Sequence, residues 1–291
     1  MKEQFNQAQA LFDFAFSRLQ GSDVILEPCV SDQNIEFVEV LEGVVRVQIG
    51  KGRFLAKAGD VYFVPNGYVH AIANDKGGQA SVRRLVFGLD VIAQDISGFD
   101  HELLYILSVC SAKKRNKTSV LSKKGKELCH QTLEEIESEW MSKDFCYRLR
   151  IRATVLHMLT MLLRGFLSGQ NGTSAYKNVL RLRPALEYVD ENFKNRIRLS
   201  DLSKMVFLAD DYFGKLFRLC TGDTPLEYLN GVRLNCALRL MLECPDLKVQ
   251  EIARQSGFSG RDYFSQTFKE AFGCTPVEYK KNKTVPPFVT E

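Results

Sequence analysis

The spacing of apolar residues changes once along the chain. Through the first hundred residues apolar and polar positions alternate, as in "GVVRVQIGKGRFLAKAGDVYFVPNGYVHAI", where Val45, Val47 and Ile49 share a face and "GKG" supplies a turn. This alternation predicts antiparallel β-strands. From about residue 120 the apolar residues recur at helical spacing, in the stripes Leu121, Leu128, Leu133, Ile136, Trp140 and Ile151, Val155, Met158, Leu162, Phe166. Two long amphipathic helices are therefore predicted after the sheet.

The helical stripes between residues 113 and 168 admit two interpretations. Their apolar faces can pack on strands of the same chain, or they can pair with a second copy of the chain. The second interpretation predicts a dimerisation segment over 113–168. The run "SGQNGTSAYKN" that follows is small and polar, which is typical of a flexible linker, here placed at 169–178. The β-rich part then occupies 1–112, and a helical domain occupies 179–291.

One unit of sequence occurs twice near the end of the chain. "DYFGKLFRLCTGDTPLEY" begins at Asp211 and "DYFSQTFKEAFGCTPVEY" at Asp262, and the copies share nine of eighteen residues in register. Gly222 and Gly273 suit the left-handed residue that follows a helix, and the Thr-Pro-x-Glu after each predicts a capping box and a new helix. Each copy places five side chains on one helical face: Tyr212, Phe213, Leu216, Phe217, Cys220 in the first and Tyr263, Phe264, Thr267, Phe268, Ala271 in the second.

A short helix precedes each copy, in "LSDLSKMVFLA" and in "VQEIARQSGFSG". Helix, tight turn, helix is the helix-turn-helix pattern, in which the second helix enters the DNA major groove. A single match of this kind occurs in many helical domains, whereas two in tandem with shared caps are specific. The exposed faces hold the residue types that bond guanine, adenine and phosphate, and these are the predicted DNA contacts: Lys215, Arg218, Arg261, Ser265, Gln266 and Lys269.

The segment between the two units also favours DNA binding. As a helix, the eighteen residues from Leu226 to Glu243 would span about 27 Å. Successive major-groove faces lie about 34 Å apart, so this connector could hold both recognition helices against one side of a duplex. The first recognition helix opens with Asp210 and Asp211, which repel phosphate. We therefore expect the second helix, led by Arg261, to read bases more strictly.

Composition excludes several other classes of protein. With 45% apolar and 25% charged residues the chain is globular, and it has neither an export signal nor an apolar run that could span a membrane. The eight cysteines are scattered without a C-x-x-C pair, which indicates reduced thiols in a cytoplasm. Residues 1–112 carry nine basic and fourteen acidic side chains, and residues 113–177 carry thirteen and six. The acidic N-terminal part is therefore the poorer surface for a polyanion.

These motifs carry a family resemblance. The two helix-turn-helix stretches, with "IA", "GF", "YF", "FG", "TP" and "Y" spaced as in "VQEIARQSGFSGRDYFSQTFKEAFGCTPVEY", resemble the DNA-binding domain of the AraC/XylS transcription regulators over about residues 180–281. Phe207 departs from that pattern, because the first turn usually has Gly there, as Gly257 does in the second. "EFVEVLEGVVRVQIG" and "AGDVYFVPNGYVHAI" resemble the family's usual N-terminal partner, a cupin-like effector barrel.

The resemblance implies an α+β chain of two domains. An N-terminal cupin-like antiparallel β-barrel with two following helices would be joined to a C-terminal all-α domain, in which a linker helix connects two helix-turn-helix motifs. Glu39, Tyr62 and His70 are the expected effector ligands, although either parity of a strand could face the barrel interior. The effector is expected to be an uncharged or weakly charged polar molecule.

Cupin signatures also occur in metal-dependent enzymes, which need several His and carboxylate ligands around one ion. The chain has four histidines, of which only His70 lies in the signature. No metal, cofactor or catalytic residue is therefore predicted. The remaining alternatives are a cupin enzyme fused to a DNA-binding domain and a scaffold that binds neither DNA nor ligand.

The resemblance further implies a cytoplasmic, sequence-specific transcription regulator, an effector-responsive activator of carbohydrate-use genes. Its implied partners are double-stranded promoter DNA, a small-molecule effector that could be a sugar, RNA polymerase and a second copy of the chain. A regulator that responds to a non-sugar effector, of the stress or virulence type, is the alternative.

Overall fold

A computed structural model describes residues 14–21, 24–31, 34–75, 78–88, 123–167 and 172–282. Its N-terminal half is the antiparallel β domain that the alternation predicts. Eight strands are described, with these bounds: β1 (Phe14–Gly21), β2 (Val24–Cys29), β3 (Asn34–Glu42), β4 (Val44–Ile49), β5 (Gly52–Lys57), β6 (Val61–Val64), β7 (His70–Asn74) and β8 (Ala80–Gly88).

The strands form two four-stranded sheets that face each other. One sheet has the order β1-β8-β3-β6 and the other has the order β2-β7-β4-β5, and every pairing is antiparallel. Alternate residues of β3, among them Val38 and Val40, point into the shared interior, where they pack with Val45, Val47 and Ile72 of the opposite sheet. The interior is thus filled largely by β-branched side chains, as the strand propensities of these residues favour.

The other face of the first sheet packs on two long helices, α1 (Lys123–Ser142) and α2 (Tyr147–Leu167). Ile35 and Phe37 of β3 belong to one cluster with the buried residues of both helical stripes: Leu133, Ile136, Ile151, Val155 and Met158. These buried members of the two stripes therefore pack within the chain. Leu128 is 39% exposed, and Leu121 lies outside the described residues.

The C-terminal half is helical throughout the described residues. Its elements are α3 (Gly172–Asn192), α4 (Leu199–Met205), α5 (Asp210–Thr221), α6 (Pro225–Glu243), α7 (Val249–Gln255), α8 (Arg261–Phe272) and α9 (Pro276–Asn282). Helix α3 includes residues 172–178, so this part of the predicted flexible linker is helical. The buried stripe that begins at Val179 anchors the helix, and a helix once nucleated extends at little cost into the preceding residues.

Two helix-turn-helix units follow, formed by α4 with α5 and by α7 with α8. The predicted helix ends are confirmed: Gly222 and Gly273 are left-handed, with φ of 83° and 73°. The predicted capping box of α6 is also present, because the Thr224 hydroxyl accepts from the Glu227 N–H at 3.3 Å and a Glu227 oxygen accepts from the Thr224 N–H at 2.7 Å. One detail differs, since Tyr212 and Tyr263 are 52% and 40% exposed rather than part of the buried faces.

The tight turns of the two units have the same backbone conformation but different residues. Phe207 in the first turn has φ of 55°, and Gly257 in the second has φ of 79°. Phe207 is 90% exposed, so its ring is not pressed against other segments in this backbone conformation. A Cβ on Gly257, by contrast, would lie 2.6 Å from the Cα of Lys194 and 2.8 Å from the Phe193 carbonyl oxygen. The second turn therefore requires glycine on two grounds, the backbone angle and the close approach of another segment.

We expect Gly257→Ala to lower the free energy of unfolding by more than about 2 kcal/mol, because it combines a left-handed alanine with a backbone clash. The control is Gly214→Ala in the middle of α5, where an added Cβ meets nothing within 4 Å. It should raise stability by about 0.5–1 kcal/mol, since alanine costs less backbone entropy than glycine in a helix. Urea denaturation of both variants measures the difference, and equal effects would contradict this account of the turn.

Candidate nucleic-acid interface and interior polar site

The second recognition helix, α8, is fixed by the aromatic side chains of its inner face. Phe264, Phe268 and Phe272 are almost fully buried, and the rings of Phe268 and Phe272 have centroids 4.4 Å apart. This anchoring turns the opposite face outward, where Arg261, Gln266 and Lys269 are exposed. Arg261 is the first residue of the helix, at the end that meets base edges in this motif.

Two polar residues of α8 have more restricted positions. Ser265 is half-buried, and the Gln266 amide donates to a carboxylate oxygen of Glu270 at 3.0 Å. The pair lies one turn apart on the same face, so it holds the Gln266 side chain along the helix surface. Among the predicted contacts of this helix, Arg261 and Lys269 are the ones that extend freely from the exposed face.

The first recognition helix, α5, shows the same inner anchoring through Phe213 and Phe217, which are fully buried. Lys215 and Arg218 are exposed on its outer face. The carboxylate of Asp210 accepts a hydrogen bond from the hydroxyl of Ser203 on α4. Asp210 therefore closes the turn between the two helices, and a negative charge at a helix N-terminus is also favoured by the helix dipole. The acidic start of this helix has a structural role that the sequence alone did not reveal.

A groove of about 620 Å³ runs beside the outer face of α5. Its walls come from α3, α4, α5, α6 and the segment before α4, and they include Ile197, Leu199 and Leu226. Lys215 and Arg218 lie on its edge together with Asp211. The first unit therefore presents a surface that is partly apolar and carries charges of both signs, whereas the face of α8 is polar and carries Arg261 and Lys269.

The predicted effector residues do not form one group. Glu39 is buried but belongs to the parity of β3 that faces the helices, where its carboxylate accepts from Arg83 Nη1 at 3.1 Å and contacts His130 of α1. Arg83 also pairs with Glu137 of α1 at 3.1 Å. Glu39 thus ties the sheet to α1 and lies on the opposite side of the sheet from the barrel interior. Both parities of β3 are rich in apolar residues, so the sequence could not show which side faces inward.

Tyr62 and His70 do face the interior, where three further residues that the sequence did not single out, Cys29, Glu36 and Arg84, form a polar cluster with His70. Glu36 accepts from Arg84 at 2.7 and 3.1 Å through one carboxylate oxygen, and its other oxygen lies 3.3 Å from His70 Nε2. The Cys29 sulfur is 3.4 Å from the same His70 nitrogen. The Tyr62 hydroxyl is buried and has no hydrogen-bond partner among the described residues. The alternation that places Val38 inward also places Glu36 inward.

The charges of this cluster are strongly coupled. Burial alone would lower the pKa of His70, but its hydrogen bonds with Cys29 and Glu36 and the Glu36 charge outweigh it and raise the pKa to about 10. Burial would raise the pKa of Glu36, yet the bond and charge of His70 and those of Arg84 hold it below its usual value. At neutral pH the described residues of this cluster therefore comprise two cations, His70 and Arg84, and one carboxylate, that of Glu36.

Two domain families match the chain. A helix-turn-helix domain model matches residues 202–282, and a cupin domain model matches residues 20–91. Together with the paired recognition helices, they define a DNA-binding transcription regulator with an N-terminal cupin domain. Both domain types are the ones that the tandem motifs and the cupin-like signature predict.

Several known proteins resemble the chain over different lengths. The uncharacterized regulator YdeC of Bacillus subtilis is 25% identical over 85% of this chain and 84% of its own. The transcriptional activator RhaR of Mannheimia succiniciproducens is 28% identical over 50% of this chain and 51% of its own. Among solved structures, ToxT of Vibrio cholerae aligns over 92% of this chain and 98% of its own, with 14% identity and a TM-score of 0.45.

The described residues contain neither a metal-binding cluster nor a membrane-spanning helix. In these residues no three or more His, Cys, Asp or Glu side chains are arranged to hold a metal ion. Among the same residues, no helix combines the length and the apolar character needed to cross a membrane.

Proposed function

We propose that the chain is an effector-responsive activator that binds promoter DNA through both recognition helices, with α8 as the stricter reader of bases. The observation that supports this most directly is the repetition: two helices with matching buried aromatic faces, exposed basic residues and a 19-residue connector. The proposed contacts are Arg261, Gln266, Ser265 and Lys269 on α8 together with Lys215 and Arg218 on α5. Arg261 suits bidentate bonding to guanine, and Lys269 suits a phosphate.

The direction of control and the class of target gene are proposed by analogy with similar regulators. RhaR is named an activator, and we propose the same direction of control here, with RNA polymerase as the partner that is recruited. From the family resemblance we also propose that the protein is cytoplasmic and that it controls genes for carbohydrate use. An enzymatic role is disfavoured because the relatives are named as regulators. In addition, His70 already bonds the Cys29 thiol and the Glu36 carboxylate, and that carboxylate also pairs with Arg84.

The interior cluster supports a proposal about the effector. One carboxylate, that of Glu36, serves two cations, so an acidic group on a ligand would balance the remaining positive charge. The Tyr62 hydroxyl can bond a ligand oxygen without giving up another bond to the described residues. We therefore propose that Tyr62, His70 and Arg84 contact a hydroxyl-bearing acid, such as a sugar acid. This revises the expectation of an uncharged ligand, and it leaves Glu39 outside the site.

The proposed homodimer needs a surface other than the buried stripes of α1 and α2. Three large apolar side chains are exposed where these helices meet: Met141 at the end of α1 (71%), Phe145 in the turn (98%) and Leu149 at the start of α2 (66%). Burying such side chains against a second copy would remove them from water.

For the dimer, we expect Phe145→Asp to shift the sedimentation coefficient toward that of a monomer. Leu55→Asp, at a 55% exposed site on the β domain, should leave it unchanged. A wild-type chain that sediments as a monomer at high micromolar concentration would refute this proposal.

For DNA binding, we expect Arg261→Ala to cost about 1–3 kcal/mol on the cognate operator and much less when the contacted base is changed, because a bidentate guanine contact is lost. Lys269→Ala should weaken binding to all sequences about equally and lower the salt slope by about one, because it removes a phosphate contact. Binding isotherms on an operator selected from a random duplex library, and on its single-base variants, measure both effects.

Lys215→Ala is the matched control on the first helix, and it should change base preference less than Arg261→Ala does. The opposite result, with base preference relaxed by Lys215→Ala and kept by Arg261→Ala, would assign stricter reading to α5. Failure to select any operator would contradict the proposed function itself.

For the effector, we expect sugar acids such as glucuronate to raise the unfolding temperature by a few degrees at saturating concentration, since a ligand that binds only the folded state stabilises it. Glucose, the matched neutral sugar, should give a smaller shift. Tyr62→Phe should reduce the shift while preserving the fold, because it removes only the buried hydroxyl. Stabilisation by neutral sugars but by no carboxylate would show that the charge argument is wrong.

A further inference from the structure

The tip of the β4–β5 hairpin, residues 50–53, contacts the DNA-binding half at two places, and we call this segment the brace. Its first contact is made by Lys51, whose ammonium lies 3.1 Å from the Asp223 carboxylate and donates to the Glu227 carbonyl oxygen at 2.7 Å. Both side chains of the ion pair are 19% exposed. The ion pair is thus largely shielded from water, so the attraction between its charges is screened less than at an open surface.

The second contact is made by Arg53, two residues further along the hairpin. Its guanidinium donates to the carbonyl oxygen of Ala271 and lies over the ring of Phe272, 5.9 Å from the centroid. Arg53 is half-buried, and burial lowers the pKa of its guanidinium.

Both contacts lie close to the C-terminal end of a recognition helix, at different positions of the repeat. Asp223 follows Gly222, the left-handed cap of α5, and Ala271 lies in the last turn of α8, just before the corresponding cap Gly273. The C-terminus of a helix carries unpaired carbonyl groups and the negative end of the helix dipole, so it attracts a cation. One short hairpin therefore places one cation at the C-terminal end of each recognition helix.

The β domain also contacts α6, the helix that connects the two helix-turn-helix units. The Asn235 side chain donates to the Gly67 carbonyl oxygen at 2.6 Å and accepts from the Val69 N–H at 2.9 Å. Val69 is 1% exposed and belongs to the core of the second unit, with Leu238 of α6 and Phe268 of α8. Next to the brace, Gly231 of α6 leaves room for the Lys51 side chain, since an added Cβ would lie 3.1 Å from Lys51 Cε.

These contacts leave the outer faces of the recognition helices open. Lys215, Arg218, Arg261, Gln266 and Lys269 are all exposed with the barrel in place. The barrel therefore holds the two units from the side of their C-terminal ends, and it does so without covering the residues proposed to touch DNA. Such a contact acts on how the two helices are placed relative to each other.

We propose that the brace sets the separation of the two recognition helices and thereby the operator spacing that the chain accepts. This inference rests on the proposed function, because it concerns how the two helices reach DNA together. The same contacts connect the interior cluster to the DNA-binding half. The Val69 N–H donates to the Asn235 side chain of α6, and Val69 is the residue before His70. A change at His70 would then move the barrel segment that holds α6.

The test compares Lys51→Met, Arg53→Met and the double variant with the wild-type full chain, on the selected operator and on the same operator with one base pair inserted between its two contacted segments. The insertion displaces one segment by about 3.4 Å along the duplex. The wild-type chain should lose about tenfold in affinity, as for the loss of one good base contact. The double variant should lose less than about threefold, because its units are free to adjust.

Lys57→Met is the matched control, since Lys57 is an exposed cation of the same hairpin and its removal changes the charge equally. It should keep the tenfold penalty. Asn235→Ala releases the connector from the other side and should also reduce the penalty, which covers the case that the double variant fails to fold. A penalty that stays at the wild-type value in all brace and Asn235 variants overturns the inference, and so does a wild-type chain without spacing preference. Absence of any selected operator instead refutes the proposed function.

Discussion

One apolar core joins the outer face of the β domain to the first recognition helix. It begins at the outer face of the first sheet with Ile35 and Phe37, passes through Ile151 and Val155 of α2, and reaches Phe213 and Phe217 of α5. Because packed side chains transmit displacement rather than absorb it, the first recognition helix is positioned relative to the β domain by this core. The second helix belongs to a separate cluster around Phe264 and Phe268, which Val69 of the barrel joins. Both recognition helices are therefore linked by buried apolar packing to the domain proposed to sense the effector, α5 through the core that includes α2 and α8 through Val69.

The helical half was largely predictable because its signals are local. Caps such as Thr224 and Gly273 act within a few residues, and aromatic spacing fixes which face of a helix is buried, so one sequence window contains the whole argument. The exceptions are instructive. The tyrosines Tyr212 and Tyr263 lie at the edge of the buried face, where their hydroxyls can reach solvent, and the Asn230 amide bonds the hydroxyl of Tyr263 at 2.8 Å.

The interior site was less predictable because strand parity is decided by partners far away in sequence. In β3 both sides are apolar, since one faces the opposite sheet and the other faces α1 and α2, so alternation could not separate Glu36 from Glu39. The pairing of Glu36 with Arg84 joins residues 48 positions apart, and that of Glu39 with Arg83 joins residues 44 positions apart. Only the register of β3 with β8 brings each pair together, and it places one pair inside the barrel and the other under a helix.

The burial of Val69 has a consequence for dissecting the chain into parts. Its side chain is hidden by residues of α6 and α8, and Val30 packs on the same cluster. If the β domain were produced alone, both valines would be open to water beside the end of β2, a strand at the edge of its sheet. An unpaired edge next to newly exposed apolar side chains is a surface on which copies of a protein associate into aggregates. Truncation at the sequence boundary between the two domains would therefore expose apolar surface of the β domain and favour its aggregation.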